Sequence, residues 1–454
     1  MLNAHCIPIK KNQPIQKIGI IGLGKTGIAS IRLAIGNEIK TFIFDDKLEN
    51  VPSEFSSFFM VYHQWPWNEL DAVVFSPGVP TYLPAPHKAA LLAKKFNVPI
   101  ISDIELVIKL QKASKWVVIT GTNGKSTTTA LTAHILKSSG KSVAVGGNLG
   151  ISMADLDSPG SDGIRVVELS SYQLEITPSL RPDVSAILNL SPDHLDRHGS
   201  MAKYAAAKAR AVKNVKSEGL IILGTDPTLL KLLPSEYTCK MHQITKADIP
   251  LATEKNFALS GLHNSENAAV AASICRYFNI SEKQINKSIL SFEGLPHRLQ
   301  LVASCNLGKT QLHIINDSKA TNDVAASKAL SSFKHIFWCV GGLAKENKLS
   351  NCIAQSSQVE HAYLYGSSKE LFQSELLGSV PITLANDLED AITRAFVDAK
   401  KLSIKNGVDS FVLLSPAAAS FDTYENFEAR GKHFSDLAKK LCQQVSKKEQ
   451  ANAR

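Results

Sequence analysis

The chain has 454 residues, of which 44% are hydrophobic and 20% are charged, so it is long enough for about three globular domains of ~150 residues each. No apolar run reaches the ~20 residues that cross a bilayer, and the first residues lack a signal-peptide core, so we expect a cytoplasmic protein without membrane insertion. The formal charge is +9, but the lysines are dispersed rather than gathered in a basic stripe, which argues against nucleic-acid binding.

Strand-like apolar runs alternate with helix-patterned segments, which predicts an α/β fold built on parallel sheets. The first block has a strand at 17–21, a glycine-rich turn at 22–27 and a second strand at 41–44 that ends in two aspartates. This is a Rossmann-type opening, because Asp45 lies 18 positions after the last glycine of the turn, close to the ~20 of a ribose contact. Taken alone, the opening leaves an NAD-dependent oxidoreductase as one alternative.

The second block carries the most informative stretch, the sequence Gly-Thr-Asn-Gly-Lys-Ser-Thr at 121–127, directly after the apolar run 116–119. Glycines let successive backbone N–H groups face an anion, Lys125 reaches terminal phosphates, and the Ser126 hydroxyl ligates Mg²⁺. The spacing is shorter than the usual G-x-x-x-x-G-K-[ST], so a structural glycine turn remains the alternative.

Further strands of this block end in polar loops, and open α/β sheets bind ligands beyond the carboxyl ends of their strands. Glu168 ends one strand, where it would either hold Mg²⁺ or form a salt-bridged cap. His194 follows another strand within the ionisable cluster 193–198, either as a metal ligand or as an ordinary loop histidine. The strands are expected at 143–148, 166–171, 186–190 and 220–223.

Polar residues also open several helical segments. The lysines of the Ala-rich stretch 201–213, Lys208 among them, have the pattern of a solvated helix face. Asn264 and Asn267 begin another helix, either as caps or as readers of a purine edge or ribose. In the third block, 316–322 combines an Asp, a Lys and two amides after a strand, more than local capping requires. Strands of this block are expected at 313–315, 336–340, 362–365 and 410–414.

The cysteines are seven in number and scattered, with no C-x-x-C pair, which indicates neither a disulfide framework nor a zinc site. We expect all of them to be reduced and buried. They are Cys6, Cys239, Cys275, Cys305, Cys339, Cys352 and Cys442. The residues after about 443 are expected to form a disordered tail.

Taken together and in this order, the motifs resemble those of the Mur ligases, ATP-dependent amide-forming enzymes of peptidoglycan synthesis. The segments that carry the resemblance are 121–127, 168–175, 193–197, 261–267, 297–298 and 316–322. It implies three domains: a Rossmann-like UDP-substrate-binding domain (1–111), a central P-loop-type mononucleotide-binding ATPase domain (112–299), and a Rossmann-like amino-acid-binding domain (300–454). The resemblance also implies that the Rossmann-type opening binds the UDP part of a substrate and not NAD.

Within the family, the chain most resembles the member that adds D-glutamate to UDP-N-acetylmuramoyl-L-alanine through an acyl phosphate. The features that favour this member are 22–27, 316–322, 414–422, Phe427 and 430–431. The resemblance implies ATP and two Mg²⁺ ions as cofactors, and we expect a monomer. Another Mur-type or folylpolyglutamate-type ligase, or a non-catalytic UDP-sugar or nucleotide sensor, remains an alternative.

The resemblance also assigns residues by role. The UDP-substrate would contact Lys25, Thr26, Asp45, Asp46, Gly78, Asn148 and His194. ATP would contact Gly121, Thr122, Asn123, Gly124, Lys125, Ser126, Thr127, Asn264, Asn267, Arg298, Asp317 and Lys319. D-glutamate would contact Thr321, Lys345, Ser415 and Phe421. The metal ligands would be Ser126, Glu168, His194 and a carbamylated Lys208, and the catalytic set Lys125, Glu168, His194, Lys208 and Lys345. Carbamylation replaces the solvated-face interpretation of Lys208.

Overall fold

The computed structural model describes residues 14–452 except 84, 112, 149, 346 and 347. These residues form two compact units. The amino-terminal unit contains the described residues up to Pro250 together with Glu266–Ser288, and the carboxy-terminal unit contains Leu251–Ser265 and the described residues from Ile289 onward. Two sheets lie in the first unit and one in the second, each flanked by helices in chain order, so the predicted α/β class is confirmed.

The first sheet is parallel and consists of β1 (Lys17–Ile21), β2 (Lys40–Phe44), β3 (Ala72–Phe75) and β4 (Ile100–Ile101), in the order β2-β1-β3-β4. Its helices are α1 (Lys25–Gly36), α2 (Lys88–Lys95) and α3 (Asp103–Leu110). A Cβ on Gly27 would lie 1.9 Å from the carbonyl oxygen of Gly22, so only glycine lets α1 start this close to β1. The Rossmann-type opening therefore has the packing that its glycines predict.

The second sheet is also parallel, in the order β10-β9-β8-β5-β7-β6. Its strands are β5 (Lys115–Thr120), β6 (Val143–Gly147), β7 (Ile164–Glu168), β8 (Val184–Ile187), β9 (Leu220–Leu223) and β10 (Lys240–Gln243). The helices of this region are α4 (Lys125–Ser138), α5 (Ser171–Glu175), α6 (Leu195–His198), α7 (Met201–Lys213), α8 (Leu262–Tyr277) and α9 (Glu282–Leu290). The strand predicted at 186–190 ends at Ile187, and the sequence did not predict β10, whose residues are only partly buried.

The third sheet has the order β11-β12-β16-β13-β14-β15. Its strands are β11 (Gln300–Asn306), β12 (Gln311–Asn316), β13 (Ile336–Gly341), β14 (Val359–Tyr365), β15 (Ile382–Leu384) and β16 (Ser410–Leu414). Its helices are α10 (Asp323–Leu330), α11 (Ser350–Ile353), α12 (Lys369–Leu376), α13 (Leu388–Asn406) and α14 (Phe427–Asn452). β11 pairs antiparallel with β12, so the prediction of purely parallel sheets is wrong at this edge, because a short turn joins the two strands.

Two further expectations fail in the carboxy-terminal unit. Cys305 and Cys442 form a disulfide between β11 and α14, because the fold brings together two cysteines that are 137 positions apart. The predicted reduced and buried state is confirmed for Cys239, Cys275, Cys339 and Cys352, whereas Cys6 lies outside the described residues. The predicted disorder after residue 443 is wrong as far as Asn452, where α14 ends. Across the described residues, no helix is both long and apolar enough to cross a membrane.

Candidate functional site

The loop between β5 and α4 has the backbone shape of an anion cradle. Gly121 and Gly124 have positive φ angles of 154° and 83°, and the left-handed residue Gly124 precedes the first helical residue, Lys125. The Lys125 Nζ donates hydrogen bonds to the carbonyl oxygens of Gly121 (3.0 Å) and Thr122 (2.9 Å). The ammonium group is therefore held over the loop at the positive end of α4.

Two asparagines outside the loop fix its shape. Asn189 Oδ1 accepts hydrogen bonds from the backbone N–H groups of Thr122 (3.1 Å) and Asn123 (2.8 Å). A Cβ on Gly124 would lie 2.3 Å from the Asn267 Oδ1, so this buried side chain lies directly against the loop. The sequence singled out Asn267 but missed Asn189, whose only signal was its place just after a strand.

Glu168 ends β7 beside this loop. Its Oε1 accepts a hydrogen bond from the Asn148 Nδ2 at 3.1 Å. Its Oε2 is buried and has no hydrogen-bond partner among the described residues. A buried carboxylate oxygen without a donor is costly unless a cation occupies the position, so the Glu168 side chain fits the Mg²⁺ that the sequence predicts there.

Lys208 is almost wholly buried, at 1% exposure, on α7. Its Nζ donates a hydrogen bond to the same Gly121 carbonyl that binds Lys125, at 2.8 Å, and lies 4.7 Å from the centre of the Tyr204 ring. Burial, reinforced by the charge of Lys125, lowers the pKa of Lys208 to about 7. The solvated-face interpretation of this lysine is therefore wrong, because α7 turns this residue toward the sheet.

His194 lies in the loop after β8 and has a left-handed backbone, with φ of 53°. Its imidazole is about half exposed, lies 3.5 Å from the Asp193 carboxylate, and contacts the Tyr172 ring at 5.1 Å between centroids. An L residue in this region of φ is strained by ~1–3 kcal/mol, so the surrounding structure must hold it. An exposed imidazole on a strained loop is well suited to meet a ligand or a metal ion.

No group of three or more His, Cys, Asp or Glu side chains is gathered to hold a metal within the part of the chain that the structure describes. The predicted magnesium ligands therefore depend on a hydroxyl and a modified lysine in addition to Glu168 and His194. Such an oxygen-rich set suits Mg²⁺, which retains several waters in nucleotide sites.

The first sheet places the predicted UDP-substrate residues on the loops after β1, β2 and β3. Asp45 Oδ2 accepts from the Leu23 N–H (2.6 Å), and its Oδ1 accepts from the Lys47 N–H and the Asn50 amide (both 2.9 Å). Burial alone would raise the pKa of Asp45, but these hydrogen bonds hold it below its ordinary value. Asp46, by contrast, is exposed beside His87. Lys25 and Thr26 lie at the start of α1, and Gly78 follows β3. The other two residues of the predicted set, Asn148 and His194, lie on loops of the second sheet.

In the carboxy-terminal unit, Asp317 and Ser415 form a buried pair at the ends of two adjacent strands. The Ser415 hydroxyl donates to the Asp317 Oδ2 at 3.0 Å, and the Leu299 N–H donates to Oδ1 at 3.2 Å. Burial raises the pKa of Asp317 to about 7, despite these donors and the charge of Arg298. The sequence predicted both residues as ligand contacts, but for different substrates.

Other predicted nucleotide contacts in this unit also have partners. The Lys319 Nζ lies 3.9 Å from the centre of the Phe427 ring, within the range of a cation–π interaction. Asn264 is buried, and its Nδ2 donates to the Ser260 carbonyl at 3.1 Å. Asn264 lies inside α8 and donates through its amide nitrogen, so this bond is not an N-cap, in which a side-chain oxygen accepts from a backbone N–H.

Arg430 on α14 is fully buried and binds several loops at once. Its Nε donates to the Ser318 hydroxyl (3.0 Å), and its Nη2 donates to the carbonyl oxygens of Ser318 (2.9 Å) and Ala418 (3.1 Å). Its Nη1 donates to the Ala419 carbonyl at 3.2 Å. The guanidinium therefore fixes the segments before Thr321 and around Ser415. Arg430 entered the sequence prediction only as part of the family resemblance, which did not predict this role.

The remaining residues predicted to bind D-glutamate are more open. Lys345 is exposed, and Phe421 is 69% exposed. Leu343 forms an isolated antiparallel bridge with Ala419, which holds the loop before Lys345 against the loop before Phe421. The two predicted loops are thus brought together at their bases, whereas their side chains project to the surface.

The structure gathers the predicted residues within each unit as described above. Known proteins with similar sequences identify the family to which this arrangement belongs. The Mur ligase middle domain matches residues 119–275. The chain is 34% identical to UDP-N-acetylmuramoylalanine--D-glutamate ligase of Rickettsia felis, over 95% of this chain and 99% of that protein. It is 36% identical to the protein of the same name from Agrobacterium fabrum, over 92% and 94%.

A solved structure has a similar fold. The crystal structure of UDP-N-acetylmuramate-alanine ligase from Thermotoga maritima matches with a TM-score of 0.54 at 17% identity, over 94% of this chain and 99% of that one. At that identity the match concerns the fold alone. The identities to the curated relatives, over nearly the whole chain, settle the family. The chain therefore belongs to the Mur ligase family, in the branch of the UDP-N-acetylmuramoylalanine--D-glutamate ligases.

Proposed function

We propose that this chain joins D-glutamate to UDP-N-acetylmuramoyl-L-alanine in an ATP-dependent step of peptidoglycan synthesis. The observation that carries the proposal is the set of groups around the Gly121 carbonyl. Lys125 and Lys208 both bind this oxygen, and the buried Glu168 Oε2 lacks a donor among the described residues. The Lys125 ammonium and the Glu168 carboxylate, held beside a glycine loop, are groups that phosphoryl transfer requires.

In the first step, the substrate carboxylate would take the γ-phosphoryl group of ATP and become an acyl phosphate, with ADP as the leaving group. When bound, ATP and Mg²⁺ supply that group and neutralise part of its charge. The N–H groups of 121–127 and the Lys125 ammonium orient the phosphates, while Glu168 and Ser126 hold the cation. Asn264, Asn267, Arg298, Asp317 and Lys319 complete the nucleotide contacts in this proposal.

In the second step, the D-glutamate amine attacks the acyl carbon and inorganic phosphate leaves. Thr321, Lys345, Ser415 and Phe421 would hold the amino acid, with the Lys345 ammonium facing a carboxylate. Lys25, Thr26, Asp45, Asp46 and Gly78 would hold the UDP part, and Asn148 and His194 the muramoyl-alanyl part. Because all these groups belong to one chain, we propose a monomer, and we place the reaction in the cytoplasm, where ATP is available.

We propose the same three domains that the resemblance implies, with boundaries near 111 and 299. Their support is that one sheet lies inside each range: β1–β4 before the first boundary, β5–β10 between the two, and β11–β16 after the second.

We also propose that Lys208 is carbamylated and serves as a metal ligand beside His194. Carbon dioxide adds only to a neutral amine, which releases a proton as the carbamate forms. The pKa of Lys208 near 7 gives a large neutral fraction at physiological pH. A carbamate carbon resonance from the protein in ¹³C-bicarbonate, lost in Lys208→Arg, is the expected result. A spectrum without that resonance would contradict the modification.

The test of the function is phosphate release from ATP with UDP-N-acetylmuramoyl-L-alanine and a panel of D-Glu, L-Glu, L-Lys and D-Ala. We expect release with D-Glu, abolished in Lys125→Ala. Lys137→Ala is the matched control, because Lys137 is an exposed lysine of the same helix. Turnover with another amino acid would assign a different specificity, and no turnover with any of them would favour a binding protein.

A further inference from the structure

A partly buried hydrogen-bonded chain connects the loop after β3 with α5 and α6. The Tyr82 hydroxyl lies 2.7 and 2.8 Å from the two Glu175 carboxylate oxygens and 3.3 Å from the His198 Nδ1. The His198 Nε2 lies 2.9 Å from the Ser171 hydroxyl. Ser171 and Glu175 are the first and last residues of α5, so the chain spans that helix from end to end.

The direction of the hydrogen bonds follows from the groups themselves. Burial and Glu175 raise the pKa of Tyr82, so its phenol keeps its proton and donates it to the carboxylate. A neutral imidazole carries one ring proton, so one of its nitrogens donates and the other accepts. With the Tyr82 proton directed to Glu175, the His198 Nδ1–H donates to the phenol oxygen and Nε2 accepts from Ser171. Each of the four side chains then has a partner.

Serine, histidine and glutamate in this order resemble a hydrolase triad, but the distances exclude that role. The His198 Nδ1 is 3.8 Å from the nearest Glu175 oxygen, too far for a direct hydrogen bond, and the Tyr82 hydroxyl bridges the two. Ser171 is only 2% exposed, so a substrate cannot reach it. The four side chains therefore hold neighbouring residues in position and do not react with a substrate.

The neighbour that it positions is His194. The His198 N–H donates to the His194 carbonyl at 3.0 Å, which closes the turn of α6. The Tyr172 ring stacks on His198 at 5.3 Å and 13° and contacts His194 at 5.1 Å. Because His194 has a strained positive φ, its imidazole direction depends on how firmly α6 is held.

From this geometry we infer that Tyr82, Glu175 and His198 are positioning residues that couple the loop after β3, which also contains Gly78, to the His194 imidazole. The inference rests on the proposed function, in which that loop contacts the UDP-substrate and His194 lies near the muramoyl-alanyl group. Substrate held on the loop would thereby fix the imidazole that faces its reacting end.

The first variant is Tyr82→Phe, which removes one hydroxyl and keeps the ring. We expect kcat for D-glutamate-dependent phosphate release to fall about tenfold, the size of losing one partner of a charged hydrogen bond. The KM for D-glutamate should stay within twofold. Tyr277→Phe is the matched control, because its hydroxyl binds the Glu218 carbonyl elsewhere in the same unit. A kcat within twofold of the wild type in Tyr82→Phe would overturn the inference.

A double-mutant cycle distinguishes coupling from general damage. His198→Phe keeps a ring against Tyr172 but removes both nitrogens, and we expect the double variant to be no slower than His198→Phe alone. Independent, multiplied losses would contradict a single chain. If these variants fold poorly, Glu175→Gln, which keeps an acceptor for Tyr82, should retain most activity, while Glu175→Ala should not. Equal activity of those two variants would also overturn the inference. Failure of wild-type turnover would instead reject the proposed function.

Discussion

The loop at 121–127 and the loops around Ser415 hold their lysine and arginine side chains in different ways. At the first, Lys125 and Lys208 are both bound to one carbonyl and already face the loop. At the second, Arg430 is buried on carbonyl oxygens, whereas Lys345 is left exposed. The first arrangement is preorganised for a ligand of fixed shape, and the second combines a rigid base with an exposed charged side chain.

This difference has an energetic consequence. A lysine that is already fixed loses little conformational entropy when an anion binds, whereas an exposed lysine loses up to ~2 kcal/mol of rotamer freedom. We therefore expect nucleotide binding to depend on loop geometry, and amino-acid binding to depend on the rigid base beneath Lys345. Four changes test that contrast.

The largest effect on turnover is expected from Gly124→Ala in the preorganised loop. The added Cβ would lie 2.3 Å from the Asn267 Oδ1, at a φ of 83°. Displacing this loop by about 1 Å should lower phosphate release about 100-fold. Steady-state release with all three substrates saturating measures it.

The control for this change is Gly140→Ala. Gly140 has nearly the same φ, 79°, but nothing within 4 Å of an added Cβ. Gly140→Ala introduces the backbone strain without the clash with Asn267, so the phosphate release of this variant should stay within a few-fold of the wild type. Equal losses in both variants would show that strain alone, and not the fit of the loop, controls the activity.

Arg430→Met tests the rigid base in the other unit. It leaves the carbonyl oxygens of Ser318 and Ala418 without this donor, each a cost of ~1–3 kcal/mol, whereas the Ala419 carbonyl keeps the Leu343 N–H. We expect the free energy of unfolding to fall by about 4 kcal/mol and the KM for D-glutamate to rise more than the KM for ATP. Urea unfolding and substrate titrations measure the two effects.

Arg394→Met provides the matched control for Arg430→Met. Arg394 is a half-exposed arginine paired with Asp390 on α13, and removing such a surface pair should leave the urea midpoint nearly unchanged. If both variants unfolded at the same urea concentration, the buried guanidinium would not be the base of these loops.

The contrast between the units also shows what sequence reasoning reaches. Glu168 was predicted because a carboxylate at the end of a parallel strand points to a ligand edge, which is a local property of the chain. The interactions of Asn189 and Arg430 were missed, because their partners are backbone groups far away in the sequence. Likewise, the pattern of α7 does not reveal what packs on it, so Lys208 was interpretable only through the family resemblance.

The edge strand β11 and the disulfide were also beyond what the sequence predicts. The residue pattern of β11 does not reveal whether the strand runs parallel or antiparallel to β12, because the direction depends on the turn and on the pairing partner. The pairing of Cys305 with Cys442 likewise depends on a through-space distance of 5.6 Å between Cα atoms. No spacing rule in the sequence contains that distance.

The disulfide extends the comparison to stability. It closes a loop of 137 positions within the carboxy-terminal unit, whereas Cys239 and Cys275 of the other unit are free. Reduction should lower the free energy of unfolding by about 3 kcal/mol, measured by urea titration with and without dithiothreitol. Cys305→Ser should abolish this response, and Cys239→Ser should preserve it. If dithiothreitol left the free energy of unfolding of the wild type unchanged, the result would contradict the disulfide.

The smallest effect concerns the charge of Asp317 under the Ser415 loop. Burial raises its pKa to about 7 from 3.8, so between these values the folded protein holds a proton that the unfolded chain has released. The native state therefore binds more protons, and the stability that this carboxyl contributes is present at low pH and is lost as pH rises toward 7. Between pH 5.5 and 7 the loss should be about 2 kcal/mol.

Asp317→Asn removes this titration while keeping an acceptor for Ser415. Its free energy of unfolding should fall less between pH 5.5 and 7 than that of the wild type, by about those 2 kcal/mol. Asp46→Asn is the control, because Asp46 is 73% exposed on the other unit and should leave the wild-type slope unchanged. Parallel slopes in Asp317→Asn and the wild type would mean that the carboxylate is ionised in the folded protein. The Ser415 loop would then rest on a buried anion in addition to the buried Arg430 guanidinium.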